Sequence, residues 1–495
     1  MSYTQHVKNQ AREKLLVHAV TILTEKRNEA PCLRGSYVRD LRHALLSDEE
    51  SPNAREAQII DDEYICAWEN LRRSCVGQKS PKDLRVCYLG GPEPMNDFTV
   101  LKGLGVQPQN IWAFESSKTE FTEALRRCCG AGFDQPKLIK MKVENFLESV
   151  PMSFDIVYLD FCSSFISSKN SMRCVANLFR HHRLCSPGVL ITNFCDAEKT
   201  KTEEYVEAIA RYYFIKKNTA TFAKGATNAA CIAHINEMEA LVEESFEHFY
   251  GNFITDFICN IPSVIVPAQR FAESALLSFF VTQPSDQFTA TESVANSCAP
   301  DLVFRFLLCN DPNHSDSPLA LDNSIMQRLS REISSKTQHS PLDSLSFCIA
   351  LRDGMIPCRD EIKAISSEFT STHRFLDRPC ESLYFDFAMR QLSYPMHCNP
   401  TSSIRLSYIA KSKRMYADAL VFDDCRYIYD WLPAALQGTD PLKNKSWLYV
   451  FRLALDGLVK CRMGTNSDYF YRGSVIHDSV PGFGPSDFSD RDSIV

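Results

Sequence analysis

The sequence predicts a doubly wound α/β fold built on a mostly parallel sheet, and three stretches carry that prediction. Residues 84–116, LRVCYLGGPEPMNDFTVLKGLGVQPQNIWAFES, read as strand, tight glycine turn, helix and second strand, the last ending on Glu115. Residues 154–160, FDIVYLD, are an apolar run of strand length that closes on a carboxylate, as a strand covered on both faces does. Residues 184–194, LCSPGVLITNF, are a Pro-Gly turn feeding a further strand.

The glycine turn limits the ligand. A pyrophosphate-binding loop aims several backbone N–H donors at its anion from the start of a helix. Here Gly90 and Gly91 are followed by Pro92 and Pro94, which have no N–H, so a dinucleotide is disfavoured. A nucleoside without phosphate, such as S-adenosylmethionine, needs a close backbone approach, which Gly90 and Gly91 allow, together with acids for ribose, adenine and the ammonium group. The segment supplies Glu93 and Asp97 in the loop and first helix, and Glu115 with Ser116 at the end of the second strand.

The same plan continues in order. Residues 137–142, KLIKMK, predict a third strand followed by Glu144; residues 154–160 are the fourth strand and residues 184–194 the fifth. Taken together, the glycine turn, the acid ending strand two, the acid after strand three, the acid ending strand four and the L-x-x-P-G entry to strand five resemble the class I S-adenosylmethionine-dependent methyltransferases. The resemblance implies a Rossmann-like seven-stranded sheet and S-adenosylmethionine as cofactor. It implies cofactor-binding roles for Gly90, Gly91, Glu93, Asp97, Glu115, Ser116, Glu144 and Asp160. The family's G-x-G-x-G is here Gly90-Gly91-Pro92-Glu93-Pro94, and its acid two residues before the first glycine is Tyr88.

Two chemistries fit the residues after strand four. An Asp at this edge accepts protons from an exocyclic amine while an aromatic ring stacks on the base, which assigns Asp160 and Phe161. The stretch is similar to the D-P-F-G-S motif of tRNA guanosine-N2 dimethyltransferases, without the proline. Alternatively, a thiolate attacks a pyrimidine ring. LDFCSS resembles the D-A-P-C-S-G of RNA cytosine-C5 methyltransferases with a residue lost, and LITNFC resembles that family's second cysteine site, which assigns Cys162 and Cys195. The expected activity is methyl transfer to a nucleic acid; the alternatives are protein or small-molecule acceptors, or a cofactor-binding module that serves recognition.

The rest of the chain is divided by composition. Residues 1–79 predict a helical section over the cofactor site, with helices at 5–29, 37–46 and 53–73. The core is expected at 80–282, with helices at 202–214 and 237–249 and the closing antiparallel strand pair at 261–281. Residues 283–300 are polar and turn-rich, a linker; 301–477 predict a second, mixed α/β domain for substrate recognition; 478–495 predict a disordered acidic tail.

In that second domain, residues 341–368 are compatible with a helix-turn-helix. Residues 405–431 interleave bases and aromatics, either as a local nucleic-acid surface or as an amphipathic helix with Tyr416, Leu420, Tyr427 and Trp431 in the core. The net charge of −7 is spread without a broadly basic region, so contact with nucleic acid has to be local. The longest apolar run, 275–281, is a strand's worth, and the polar start of the chain is no leader, which predicts a cytoplasmic protein. His181 and His182 are expected on a solvated helix face. The 20 cysteines include no C-x-x-C spacing, so no metal site is expected and the thiols read as small buried hydrophobes.

Overall fold

The computed structural model describes residues 6–47, 58, 61–130, 135–166, 170–222, 228–274, 280–282, 323–334, 392–431 and 488–494, with scattered positions between 344 and 364. The expected linker lies outside the described residues, as do most of the expected helix-turn-helix and most of the second domain.

The sheet is built first from β1 (Val86–Leu89), β2 (Ile111–Phe114), β3 (Lys137–Ile139), β4 (Phe154–Asp160) and β5 (Leu184–Cys195), all parallel. The five predicted strands are therefore present in the predicted order. Helices return the chain between them: α4 (Met95–Gly103), α5 (Lys118–Gly130), α6 (Val143–Ser149) and α7 (Ser171–Arg180). Successive side chains of a strand face opposite ways. Tyr88, Ala113, Ile156, Tyr158 and Ile191 accordingly enter one core layer, while Cys87, Phe114, Val157, Leu159 and Leu190 enter the other.

The N-terminal section is helical as expected, with α1 (His6–Leu23), α2 (Tyr37–Ser47) and α3 (Asp62–Val76). Asp61 caps helix α3, its carboxylate accepting the N–H groups of Glu63 and Tyr64; most of the predicted helix before it, residues 53–57 and 59–60, lies outside the described residues. Helix α1 lays Leu15, Leu16, Val20, Ile22 and Leu23 on the first core layer. At about 2 kcal/mol for each buried aliphatic side chain, this seats the helix firmly on the sheet.

The closing pair of strands is not where the sequence placed it. Residues 246–272 are helical: α10 (Phe246–Asn260), a π-helical stretch Ile261–Ile265, and α11 (Val266–Ala272), with α8 (Thr202–Phe222) and α9 (Asn228–Glu244) before them. The apolar run IPSVIVPA looks strand-like because it is apolar all round, but a helix enclosed on all sides gives the same pattern. Residues Phe246–Ala272 are long and apolar enough to cross a membrane, a length the sequence reading overlooked, and they are mostly buried inside the protein.

The pair that completes the sheet is β7 (Ile404–Ala410) and β8 (Lys413–Asp423), antiparallel to each other, with β8 antiparallel to β5. Their connection is Lys411-Ser412, both at positive φ (51° and 60°), a two-residue hairpin turn that matches the twist of the strands. Residues 405–423 therefore belong to the core sheet, neither to a helix nor to a separate domain. The short β6 (His397–Cys398) also pairs with β8, and β9 (Asp492–Ile494) pairs with β7, so part of the expected tail is ordered in the sheet. The order is β3-β2-β1-β4-β5-β8-β7-β9. It reverses between β1 and β4, and an α/β sheet opens its ligand crevice at such a switch point.

Candidate active site

A cavity of about 550 Å³ lies at that switch point, at the C-terminal ends of β1, β2 and β4. The glycine turn forms one wall. A Cβ on Gly90 would stand 3.1 Å from Cβ of Pro94 and 3.3 Å from Cβ of Ala113, and Gly91 sits at φ +54°, a conformation that favours glycine. The Gly90 N–H donates to the Phe114 carbonyl at 3.0 Å, so it is spent inside the sheet. With Pro92 and Pro94 lacking donors, the turn offers close approach and few donors, which suits a nucleoside better than a pyrophosphate. The Tyr88 hydroxyl stands in the place of the family's acid and donates to the Pro94 carbonyl at 2.6 Å, holding the turn.

Every cofactor-binding residue expected from the sequence lines this cavity: Gly90, Gly91, Glu93, Asp97, Glu115, Ser116, Glu144 and Asp160. Glu115 ends β2, its carboxylate accepts the Ser117 N–H at 2.6 Å, and burial pushes its pKa up. Glu93 is drawn outward by Arg127, 2.9 Å away. Glu144 is buried in the first turn of α6 and accepts a weak hydrogen bond from the Cys174 thiol.

The sequence reading missed the contribution of α1. Its N-terminal half reaches into the cavity and lays two cations on two acids. Arg12 Nε is 2.7 Å from Asp97, with both side chains buried, and Lys8 Nζ is 2.8 Å from Asp160. Burial raises the Asp97 pKa to about 6, against the opposing pull of Arg12. Burial also pushes the Asp160 carboxyl up, but Lys8 and hydrogen bonds from Cys162 and Asn193 outweigh it, leaving the group below the usual carboxylate range. Lys8 and Arg12 carry helical i, i+4 spacing toward one side of α1, the one signal in the sequence that both reach the same place.

Of the four residues given catalytic roles, Asp160, Phe161 and Cys162 line the cavity and Cys195 does not. Cys195 is buried at the end of β5 opposite Met415. Its N–H donates to the Ser163 carbonyl at 2.9 Å, so it lies behind the loop that carries Cys162 rather than on the cavity wall. Cys162 is exposed, and its thiol donates to Asp160 at 2.7 Å while accepting from Lys8 at 3.0 Å. Its sulfur is nonetheless turned inward against Asp160 and Lys8, and desolvation there, then the Asp160 charge, raise its pKa to about 11, the opposite of what a thiolate nucleophile requires. Phe161 stacks on Phe194, ring centroids 5.2 Å apart.

The segment 405–431 does not present a stacking surface. Tyr408, Tyr416, Tyr427 and Tyr429 are buried, and the Arg405 guanidinium is buried too. His181 and His182 stand just past the end of α7, where burial lowers the pKa of His182 to about 4. A larger cleft of about 1390 Å³ lies between α1, α3 and the start of β7; its glycine turn, at Gly35, precedes α2 rather than following a strand, and no acid at a strand end lines it.

The five parallel strands ordered 3-2-1-4-5, followed by an antiparallel strand inserted before its own hairpin partner, define the fold of the class I S-adenosylmethionine-dependent methyltransferases. No family model and no curated protein matches this sequence. Among solved structures, it is similar to an S-adenosylmethionine-dependent methyltransferase from Clostridium acetobutylicum, with 16% identity over 31% of this chain and 56% of that one and a TM-score of 0.19. It is also similar to a putative caffeoyl-CoA O-methyltransferase from Staphylococcus aureus, with 11% identity over 42% and 83% of the two chains and a TM-score of 0.17. A third is PKMT2 from Rickettsia typhi in complex with AdoHcy, at 12% identity, 61% and 55% coverage and a TM-score of 0.21. The chain thus spans little more than half the length of the Clostridium protein. The fold assignment stands on strand order and register.

Proposed function

We propose that this protein is an S-adenosylmethionine-dependent methyltransferase. The observation that carries the reading is the meeting, at the switch point of this sheet, of a glycine turn stripped of phosphate donors with an acid at the end of β2 and another at the end of β4. The residues present fit the cofactor. Gly90 and Gly91 would leave room for the nucleoside, Glu115 would accept from ribose hydroxyls, and Ser116 and Glu144 would serve the adenine. At the other end, Asp97 and Asp160 suit an ammonium group while Arg12 and Lys8 suit a carboxylate, so the two ion pairs complement an amino-acid zwitterion.

When bound, the cofactor supplies an electrophilic methyl group on sulfur. The protein's part is to orient the acceptor. Asp160, kept ionised by Lys8, accepts a proton-bearing N–H or O–H of the acceptor and directs its lone pair inward. The raised thiol of Cys162 makes it a wall of the acceptor side rather than a nucleophile. A second reading, a cofactor-binding module without transfer, is favoured by one observation: Lys8 already pairs with Asp160 and Cys162 where the acceptor would sit.

The test is transfer of tritiated methyl from S-adenosylmethionine to separate RNA, DNA, protein and small-molecule fractions. The expected result is label in one fraction, reduced about 10–100-fold by Glu115→Ala at subsaturating cofactor, the loss of hydrogen bonds to a charged group. Cofactor binding without label in any fraction selects the second reading.

A further inference from the structure

The end of β8 carries a second cluster that the methyltransferase reading does not use. Asp423 and Cys425 there meet Cys32, from the loop before α2, and the three ligand atoms all lie within 4.8 Å of one another. All three residues are buried. Cys425 is held at φ +51°, a conformation cysteine rarely adopts, and this sets its thiol against Asp423 and Cys32. The Cys425 Sγ is 3.5 Å from Asp423 Oδ2. A tetrahedral zinc ion with its usual bonds to sulfur and a carboxylate oxygen separates those two atoms by about 3.5 Å.

The surroundings are those of a metal centre. Cys32 Sγ lies 3.5 Å from the His397 carbonyl oxygen, the oxygen nearest to a fourth corner, which solvent entering from the cleft can also fill. The Asp423 carboxylate is oriented by the N–H groups of Cys32 (2.9 Å) and Cys425 (3.0 Å), by the Tyr427 hydroxyl (2.6 Å) and by the Ser186 hydroxyl (3.2 Å). Such outer partners fix the direction of a ligating carboxylate. Cys32 also lines the larger cleft, which gives an ion a way in. Two thiolates with one carboxylate select a thiophilic ion over magnesium or calcium.

We propose that Cys32, Asp423 and Cys425 bind a zinc ion that fastens the N-terminal helical section to the end of β8. Binding releases the two thiol protons to solvent, forms two Zn–S bonds and one Zn–O bond, and changes no oxidation state. The site ties residues 391 positions apart in sequence.

The experiment uses the full chain purified under reducing conditions. Wild-type protein is stripped with a chelator and titrated with zinc while bound metal, released protons and melting temperature are followed; cobalt(II) is then substituted. Expected are one ion bound per chain with proton release, a rise in melting temperature, and thiolate-to-cobalt charge-transfer absorption that disappears in Cys32→Ser and in Cys425→Ser. Failure of the wild type to bind a stoichiometric ion overturns the proposal. So does cobalt bound without thiolate absorption, or absorption retained in both variants. The wild-type titration decides the matter even where a variant fails to fold.

Discussion

The same three-residue pattern occurs at opposite edges of the sheet and has opposite surroundings. Asp160-Phe161-Cys162 ends β4 at the cavity, and Asp423-Asp424-Cys425 ends β8, which runs the other way, at the far edge. In both, the cysteine takes a positive φ (49° and 51°) and its thiol donates to the aspartate two residues before it. At the cavity the third partner is a cation, Lys8, and the cysteine is exposed. At the far edge it is a second thiol, Cys32, and the cluster is buried. Local sequence thus fixes a local bend and a thiol–carboxylate contact, and the element packed over it decides the chemistry.

Substitution of the two aspartates strains the contrast most. Asp160→Ala is expected to lower methyl transfer by about 100-fold or more, the scale of a lost proton-accepting group, beyond the fall in melting temperature that follows from leaving Lys8 without its partner. Asp423→Ala is expected to act on melting temperature instead, since it leaves buried donors unpaired. Equal effects of both on activity, measured at matched folded fraction, would erase the distinction.

Next in size is the other ion pair made by α1. Arg12→Ala leaves Asp97 buried without its cation, a loss that typically costs about 3–5 kcal/mol. Asp97 has a way out, because burial already brings its pKa to about 6 and it can take up a proton. The expected loss is therefore about 2 kcal/mol at pH 5 and larger at pH 8, read by urea unfolding. A loss independent of pH would mean that the pair does not govern this acid.

A smaller effect follows in the wild type. Asp97 has a folded-state pKa raised above its unfolded value, so the native state binds the extra proton and this group's contribution to stability falls as pH rises from about 4 through 6. Cofactor affinity is expected to run the other way, rising as pH passes through about 6 and Asp97 becomes anionic for an ammonium partner. Titration calorimetry at pH 5 and 7.5 checks it, and Asp97→Asn should flatten the difference. The smallest effect is expected of Cys162→Ser, within about fivefold in methyl transfer, whereas loss of a covalent nucleophile would cost about a thousandfold or more.

What the sequence made legible is the half of the molecule where local pattern and tertiary role agree. Strands β1, β2, β4 and β5 are apolar runs bounded by glycine, proline or acid, with the short edge strand β3 between them in sequence, and the acids at their ends fall together because parallel strands all present the same edge. The closing strands were not legible. Their turn, Lys411-Ser412, lacks the glycine that marks such a hairpin, and the run at 261–281 offered a nearer substitute, whose residues 261–272 are an enclosed helix. Lys8 and Arg12 were missed for a different reason: their role depends on where α1 docks, which no local spacing states. The cysteines were judged by C-x-x-C spacing, and the pair Cys32 and Cys425 is assembled across the fold.

The central claim is that the cavity at the ends of β1, β2 and β4 holds S-adenosylmethionine. Its most direct test is calorimetric titration of S-adenosylhomocysteine into the full chain at pH 7.5, beside Glu115→Ala. The account predicts one site per chain in the wild type and at least about tenfold weaker binding in the variant. No heat with the wild type, or unchanged affinity in Glu115→Ala, would contradict it.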